Sequence, residues 1–536
     1  MDILVMNLTR LGDLLQSQPA IAGLAARGHA IHLACLENFA PAAELMQGIA
    51  SVRPFPGARI LARLDKGWRQ GLAAHREAVE ALGAGSPPDI VINLTPSQPA
   101  RLLARGLGAR EVRGFVLDEF GFNADTSAWA AFLQLASRSR GASPFNIVDI
   151  FRRISGLEGA PKSFGLKGPT EGEKASAKAR IFELCPQAAQ ARGLVAIQLG
   201  ASEERRRWPV ARFADVAARL SAKGYVPVLV GTEQERHLGE RLKERAAVPM
   251  ADLMGSTGLR ELAAALSCCE LLITNDTGTM HLAAGLGVRC LAIFLATAQP
   301  WDTGPYLPGC LCLEPDLPCH PCAFGKACVN SSDADGGEAC RWAISSPGVA
   351  ALALDMLEGR DPRPAPDLGA RAWRSVIGAD GLMDLSCLSR HEDEDRTRLI
   401  RAQRELYRRY LDGEELEATQ EQSTREHPAH PLSPEAAQAL GKALGEASDL
   451  LFLLLRQGEL LSRDPIPTAK AKFLATWQRV QSALGAEPRL SVLAELWVYE
   501  SERPGLELPE ILALAGRFRS LALALRASIA PGTQHA

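Results

Sequence analysis

Four short stretches of this chain place glycine, acidic, hydroxyl or basic residues directly after runs typical of buried β-strands. The first follows the apolar run ILVMNL and contains Arg10, Gly12 and Asp13. An acid at the carboxyl end of a strand is a candidate general base, because open α/β sheets bind their ligands at that edge. A Gly-Asp pair is also ordinary helix-capping sequence, so Asp13 taken alone is equally compatible with a cap.

A second stretch, LLITNDTGTMH, predicts a strand that turns directly into a helix. The first helical residues would be Thr277, Gly278 and Thr279, whose backbone N–H groups face outward at the positive end of the helix dipole. This arrangement favours a bound diphosphate. Asp276 either caps the helix or contacts a ligand bound there, and His281 either packs in the core or contacts the ligand.

A third stretch, LGASEERRRWP, also follows an apolar strand. Ser202 can donate a hydrogen bond to a phosphate, and Arg206 or Arg207 can neutralise its charge. A cation at this place stabilises a departing diphosphate more strongly in the transition state than in the ground state. Consecutive arginines on a loop are also often simply solvated.

The fourth stretch, LVGTEQER, contains two candidate ligands for a ribose. A carboxylate after a strand can accept hydrogen bonds from both ribose hydroxyls, as in other open α/β nucleotide sites. The pattern does not separate Glu233 from Glu235, and an exposed glutamate at a helix start is also favoured by the dipole.

Six of the 12 cysteines lie between Cys310 and Cys340, in the predicted Cys-rich loop 310–340. Four thiolates including one CxxC can close a tetrahedral zinc site or hold an iron–sulfur cluster, with Cys310 and Cys312 as spare ligands. Free thiols on a loop are the alternative. The four predicted ligands are Cys319, Cys322, Cys328 and Cys340.

The elements that must position these residues follow an α/β pattern. The length of 536 residues indicates two or three domains, and the net charge of -3 gives no general attraction to nucleic acid. We expect an N-terminal Rossmann-like domain over 1–165, a connection over 166–192 and a second Rossmann-like domain over 193–360. Residues 368–536 are predicted to be all-α because apolar residues recur there at helical spacing.

The four stretches, in this order, resemble glycosyltransferase family 9, the heptosyltransferase-like enzymes of lipopolysaccharide core assembly. The opening R-x-G-D with its later Pro19 and the N-D-T-G-x-x-H-x-A pattern carry the similarity, which covers roughly residues 1–360. The resemblance implies a GT-B-type pair of doubly wound Rossmann-like domains facing a cleft. It also implies Asp13 as the base and Asn7 and Arg10 as acceptor contacts, although relatives often have lysine in place of Asn7 and Arg206.

The resulting expectation is an inverting glycosyltransferase that moves a sugar to a lipopolysaccharide-core or related glycan. The resemblance implies a heptose from an ADP-sugar as the donor and a lipid-linked or oligosaccharide acceptor. No catalytic metal or other cofactor is expected, and no nucleic acid partner. Without a signal peptide or an apolar span in the sequence, we expect a cytoplasmic protein that can contact the inner membrane peripherally. Two alternatives remain open at this point: a non-catalytic nucleotide-sugar-binding or scaffold protein, and a redox or metal sensor built on the cysteine cluster.

Overall fold

A computed structural model describes residues 1–83, 85–137, 143–159, 164–332, 337–416 and 432–529. The chain divides into two compact units. The first unit consists of Met1–Val116 and Phe145–Ser389, and the second of Leu117–Pro144 and Arg390–Ala536. Within the described ranges, every helix is too short or too polar to span a bilayer.

The first unit begins with a parallel sheet whose central strands are almost entirely buried. Continuous apolar runs such as ILVM and IVIN produce this burial, because helices cover both faces of a parallel sheet. The strands are β1 (Asp2–Asn7), β2 (Ala30–Leu36), β3 (Ser51–Phe55), β4 (Ile90–Asn93) and β5 (Glu111–Gly114). They lie in the order β3-β2-β1-β4-β5, which is the doubly wound arrangement expected from the sequence.

The helices of residues 1–184 connect these strands and lead to the second half of the chain. They are α1 (Leu11–Gln16), α2 (Gln18–Ala26), α3 (Ala40–Ala43), α4 (Gly57–Leu64), α5 (Trp68–Gly83), α6 (Gln98–Gly106), α7 (Ala128–Ala136), α8 (Ile147–Ile154) and α9 (Glu171–Leu184). The predicted connection, 166–192, therefore contains α9. Thr170 and Glu173 form a capping box that starts this helix.

A second sheet of eight strands completes the first unit. Its strands are β6 (Gly193–Gln198), β7 (Tyr225–Val230), β8 (Ala251–Asp252), β9 (Leu271–Asn275), β10 (Cys290–Ile293), β11 (Leu311–Pro315), β14 (Ala370–Ile377) and β15 (Met383–Cys387); β12 (Ser331–Ser332) and β13 (Gly337–Glu338) form a separate small ribbon. The order is β15-β14-β11-β10-β9-β6-β7-β8, parallel from β11 to β8. Gln198 lies opposite both Thr274 and Val230, so the loops that follow these strands leave the sheet at one edge.

Further helices pack around the second sheet. They are α10 (Val210–Ser221), α11 (Arg236–Ala246), α12 (Leu259–Ser267), α13 (Gly278–Gly285), α14 (Pro300–Thr303), α15 (Ala339–Ala343) and α16 (Ser346–Leu357). Their apolar faces and the strands form a large core that includes Trp208 and Phe213. Those two rings meet edge to face with their centroids 5.0 Å apart.

Among the described residues of the second unit, all regular secondary structure is helical. It combines α7 with α17 (Asp395–Leu411), α18 (Pro434–Arg463), α19 (Pro467–Gly485), α20 (Ser491–Ser501) and α21 (Leu508–Ile529). The rings of Tyr410 and Trp497 each pack edge to face on Phe518. The Trp129 indole of α7 donates to the Asp412 carboxylate over 2.9 Å, which joins the inserted segment to the C-terminal helices.

Two of the predicted boundaries are wrong. Residues 117–144 do not belong to the first Rossmann-like domain, because α7 packs against the C-terminal helices; local periodicity cannot show which core a helix joins. Residues 370–387 are not helical but form β14 and β15, which extend the second sheet with antiparallel strands. The alternating run ARAWRSVI carries this strand signal, and we predicted only helices there.

Candidate active site

Asp13 lies in the first turn of α1, directly after β1, and is partly buried. The Asn7 side chain holds this turn: its amide Nδ2 donates to the Asp13 carbonyl oxygen over 3.1 Å, and its Oδ1 accepts from the Thr9 backbone N–H. Arg10 is exposed at the helix N-cap. Asn7 is 1% exposed and its amide is already engaged in the turn that carries Asp13, so its contact with an acceptor stays a prediction.

The turn that contains Asp13 packs directly against the start of α13. A Cβ on Gly12 would lie 2.8 Å from Cδ2 of His281, and a Cβ on Gly278 would lie 3.5 Å from the Gly12 nitrogen. Any side chain at Gly12 would push the two helix starts apart. Glycine at position 12 therefore allows the turn of the candidate base to lie beside the candidate phosphate-binding helix.

The N-terminus of α13 presents the predicted anion site. Thr277 is the N-cap in an extended conformation, without a side-chain capping bond, and Gly278 and Thr279 begin the helix. The N–H groups of this first turn have no acceptor within the helix. Asp276 does not act as the cap, since its carboxylate pairs with the Arg206 guanidinium.

Arg206 is held at the centre of the site by two partners. Its Nη1 donates to Ser202 Oγ over 3.0 Å, and its Nη2 pairs with the Asp276 carboxylate. The side chains of Arg206 and Asp276 are only 8% and 10% exposed, so water screens this ion pair weakly. Arg207 instead donates to the Ala201 carbonyl oxygen, so Arg206 is the better-placed candidate of the two.

The structure also separates the two glutamates. The Glu235 carboxylate accepts from the Thr232 backbone N–H at 2.9 Å and from Gln198 Nε2 at 3.2 Å, and it lies so close to Gly200 that a Cβ there would overlap it. Glu233 is exposed and pairs with Arg236, whose hydrogen bonds lower the pKa of that carboxyl. Glu235 therefore lies at the loops of the site, whereas Glu233 belongs to a surface ion pair.

His281 is buried behind the junction of α1 and α13. Loss of hydration lowers the pKa of His281 to about 4, although the nearby Asp276 carboxylate acts in the opposite direction. Its Nδ1 has no hydrogen-bond partner among the residues that the structure describes. The imidazole is therefore neutral at pH 7 and packs against Gly12.

The chain is similar to known proteins of one family. Residues 88–331 match the glycosyltransferase family 9 (heptosyltransferase) family, a range that includes the loops at Ser202, Glu235 and Asp276 and begins after Asp13. This region, slightly less than half of the chain, is similar to the glycosyltransferase family 9 domain. The recognition made from the four sequence stretches is confirmed.

Curated relatives of the family 9 domain share only part of their length with this chain. Lipooligosaccharide heptosyltransferase 2 of Haemophilus influenzae is 29% identical over 100 residues, 18% of this chain and 29% of its own length. Lipopolysaccharide heptosyltransferase 1 of Pseudomonas aeruginosa is 34% identical over 129 residues, 23% of this chain and 34% of its own length. The chain thus spans about a third of the length of these relatives.

A solved structure confirms the predicted fold class. The crystal structure of a glycosyl transferase family 9 protein from Veillonella parvula superposes with a TM-score of 0.53 at 22% identity, and covers 67% of this chain and 97% of its own. The two predominantly parallel sheets and the largely helical C-terminal region agree with the predicted architecture.

Asn275 is the main residue of the candidate site whose role the sequence reasoning missed. It is fully buried; its Nδ2 donates to the carbonyl oxygens of Leu199 and Gly200, and its Oδ1 accepts from the Trp208 backbone N–H. One side chain thus joins the loop after β6 to the loop after β9. The available signal was its position before Asp276, where we considered only the acid.

The cysteine loop of the family 9 domain packs on the loop that carries Arg206. Arg205 Nη1 donates to the Lys326 carbonyl oxygen over 3.2 Å, and Arg341 Nε donates to the Arg207 carbonyl oxygen over 3.1 Å. A second missed feature anchors the loop from inside: His320 Nδ1 lies 3.3 Å from the fully buried Glu314 carboxylate. The sequence HP within CHPC gave no indication of that pair.

The four predicted metal ligands lie near one another without converging on one point. Burial raises the pKa of Cys322, and the neighbouring Cys319 and Cys328 thiols raise it further. The pKa of the buried Cys340 is raised to about 11, again mainly by burial. Among the described residues, no three of these sulfur atoms lie within 4.8 Å of one another. The thiols suit a thiophilic metal chemically, and the loop would have to tighten to coordinate one.

Cys310 and Cys312, the predicted spare ligands, lie elsewhere. Both are fully buried at β11, where Cys310 Sγ accepts from the Cys290 backbone N–H. They belong to the core of the second sheet.

Proposed function

We propose that the protein is an inverting glycosyltransferase that uses a nucleotide-diphosphate sugar as donor and Asp13 as general base. The packing of Gly12 against Gly278 is the observation that carries this proposal. It brings a carboxylate from the end of β1 to the N-terminus of α13, where a diphosphate binds favourably. A binding protein would need the second element and not the first.

In the proposed reaction the acceptor hydroxyl attacks the anomeric carbon from the face opposite the leaving diphosphate. The new bond joins the acceptor oxygen to that carbon, while the bond from the carbon to the phosphate oxygen breaks. The hydroxyl proton passes to the Asp13 carboxylate. The electron pair of the broken bond leaves with the nucleoside diphosphate. This single displacement inverts the configuration at the anomeric carbon.

The leaving diphosphate gains negative charge as the bond breaks. The first-turn N–H groups of α13 and the Ser202 hydroxyl bind it, and the Arg206 guanidinium supplies the positive charge. Because Asp276 already orients Arg206, little reorganisation is needed when that charge develops. These fixed groups take the role that a metal ion has in other phosphate chemistry, so we propose that no catalytic metal is used.

The description of the matched family and the names of the curated relatives support a heptose as the sugar and a lipopolysaccharide-core or related glycan as the acceptor. The carrier that we propose is ADP, which rests on the resemblance to the family alone. Within this chain, Glu235 is the proposed ligand of the ribose hydroxyls, and Arg10 is the proposed acceptor contact. We place the reaction in the cytoplasm, at the inner face of the inner membrane, where a lipid-linked acceptor would be presented.

We further propose a structural zinc ion or iron–sulfur cluster held by Cys319, Cys322, Cys328 and Cys340. Such a group would close the cysteine loop over the segment that carries Arg206 and would take no part in the transfer. Metal analysis of the purified protein tests this assignment. A Cys322→Ser/Cys328→Ser variant should lose the metal, and a metal-free wild-type protein would refute it.

Calorimetric titration with ADP, GDP, UDP and ADP-heptose tests the donor assignment. We expect selective binding of the adenine compounds by the wild type and by Asp13→Asn alike. Transfer to a lipopolysaccharide-core acceptor should fall about 100- to 10,000-fold in Asp13→Asn, the range typical of a lost general base. Loss of nucleotide binding in this variant would make Asp13 a binding or structural residue. Absence of binding in the wild type would refute the donor site.

A further inference from the structure

The helices that follow β3 expose an unusual number of large apolar side chains. α4 and the start of α5 form what we call the basic hairpin, residues 57–72. Leu61, Leu64, Trp68 and Leu72 are 64%, 50%, 65% and 60% exposed. No part of the chain that the structure describes covers them. Scattered exposed leucines are common, but four such side chains within twelve residues form a contiguous patch.

Burial of apolar side chains within the described structure does not account for the stability of α4. None of its eight residues is buried, although it contains Ile60, Leu61 and Leu64. An isolated helix of this length is marginal in water, since helices in proteins gain most of their stability by burying an apolar face. α4 therefore has the composition of a helix whose apolar face meets a further surface.

The basic hairpin is nevertheless well formed. Gly71 is buried against Leu64, and a Cβ on Gly71 would lie 3.0 Å from the Leu64 Cα. This close approach fixes α4 on α5. Their outward apolar side chains are thus displayed together before any partner binds.

The basic hairpin carries a net positive charge. Residues 57–72 contain four basic side chains and one acidic side chain, whereas the whole chain has a net charge of -3. Arg59 pairs with Glu37. Within the described residues no ion pair involves the other three cations, which are Arg63, Lys66 and Arg69.

A helix that lies in a membrane interface typically combines exposed tryptophan and leucine side chains with flanking cations. The Arg69 guanidinium lies 5.2 Å from the centre of the Trp68 ring, which keeps a cation beside the aromatic side chain at the level of lipid headgroups. A second copy of the chain suits this surface poorly. A twofold contact would bring the three unpaired cations against their own copies.

We propose that the basic hairpin docks the protein on an anionic lipid bilayer. β3 is separated from β1 by one strand, so the hairpin begins at the same sheet edge as Asp13, roughly 10 Å away across the sheet. If the proposed function holds, docking would bring a lipid-linked acceptor to the edge that carries the base. Lipid binding itself requires neither donor nor acceptor.

Vesicle flotation of the full chain tests the proposal, with phosphatidylglycerol-containing and pure phosphatidylcholine vesicles that carry no glycan. The wild type should float with the anionic vesicles, and high salt should weaken this binding. Leu61→Glu/Trp68→Glu should weaken it at least about ten-fold. Arg63→Gln/Lys66→Gln/Arg69→Gln should abolish the preference for anionic lipid. The matched control is Leu102→Glu on α6, since Leu102 is 59% exposed outside the patch.

Several outcomes would overturn the proposal: a wild type that does not float, equal flotation of the double variant, or an equal loss in Leu102→Glu. Sedimentation velocity tests the alternative of a protein interface. A wild type that does not bind vesicles but forms a dimer, which Leu61→Glu/Trp68→Glu converts to a monomer, would overturn the proposal and identify such an interface. ADP titration of the same samples reports on folding and on the donor site. Flotation without ADP binding would refute only the proposed function, and ADP binding without flotation would refute only the docking surface.

Discussion

The two sheet edges of the first unit are built very differently where they meet. On the second sheet, Asn275 joins two loops, Arg206 is fixed by Ser202 and Asp276, and Glu235 is held by Gln198. On the first sheet, the turn around Asp13 is held by the Asn7 side chain, and Arg10 is exposed. The candidate donor side is cross-linked by polar side chains, and the candidate acceptor side presents a simple turn beside a broad exposed surface.

This contrast indicates where the specificity of such a protein would reside. A buried network of charged and amide groups is costly unless every member is satisfied, so its residue types and spacing are tightly constrained. A short helix start needs only a glycine and an acid in place. The donor side is therefore readable from a motif, whereas the acceptor side is free to vary with the surface around it.

Arg206→Ala should produce the largest change on the donor side. If Arg206 stabilises the leaving diphosphate, kcat should fall about 100- to 1,000-fold with a smaller change in donor binding, as when one fixed charge-stabilising donor is removed. Single-turnover kinetics together with donor titration would separate the two effects.

The control for this comparison is Arg206→Lys, which keeps the charge but not the two-pronged geometry. A partial recovery of kcat would support the electrostatic role. If the loss of kcat comes with a loss of thermal stability and lysine recovers neither, Arg206 only compensates the Asp276 carboxylate.

His281 tests the junction between the two edges through pH. Its pKa is about 4 in the folded protein against 6.5 as the unperturbed value, so the unfolded state binds the proton more readily. The neutral His281 imidazole makes its full contribution to the free energy of unfolding above pH 6.5. This contribution is lost as the pH falls towards about 4, a change of roughly 3 kcal/mol. His281→Gln should reduce the acid-induced decrease in melting temperature of the first unit between pH 7.5 and pH 5.

The exposed His237 provides the matched control, since His237→Gln should leave that decrease unchanged. Calorimetry can separate the transitions of the two units, which a single unfolding probe cannot do. An acid response in His281→Gln identical to that of the wild type would mean that the imidazole is hydrated in solution.

Much of the first unit was predictable because buried parallel strands are continuous apolar runs that alternate with helical periodicity. The strands ILVMNL, DIVINL and LLITN were recognised in this way, as were the loops that follow them. The sequence could not assign α7 to its core, because that choice depends on contacts between residues nearly 300 positions apart, such as Trp129 and Asp412.

Within the site, the spacing of residues predicted which loops meet but not which side chains bond. The position of Asn7 at the end of β1 predicts a ligand contact, but its side-chain amide is hydrogen-bonded within the turn itself. Arg206 and Arg207 were equivalent by type, and only the three-dimensional path of the loop directs one to Asp276 and the other to a carbonyl group.

The pair of glutamates after β7 gives the smallest and most selective test of the donor side. Glu235→Gln keeps the size of the side chain but removes the charge that can accept from both ribose hydroxyls, so donor affinity should fall about ten-fold. Glu233→Gln, in a surface ion pair with Arg236, should leave it unchanged. Equal affinities for all three proteins would mean that Glu235 serves only its capping contact with Thr232. In that case the ribose is recognised elsewhere, and the donor side is less completely preformed than its hydrogen bonds suggest.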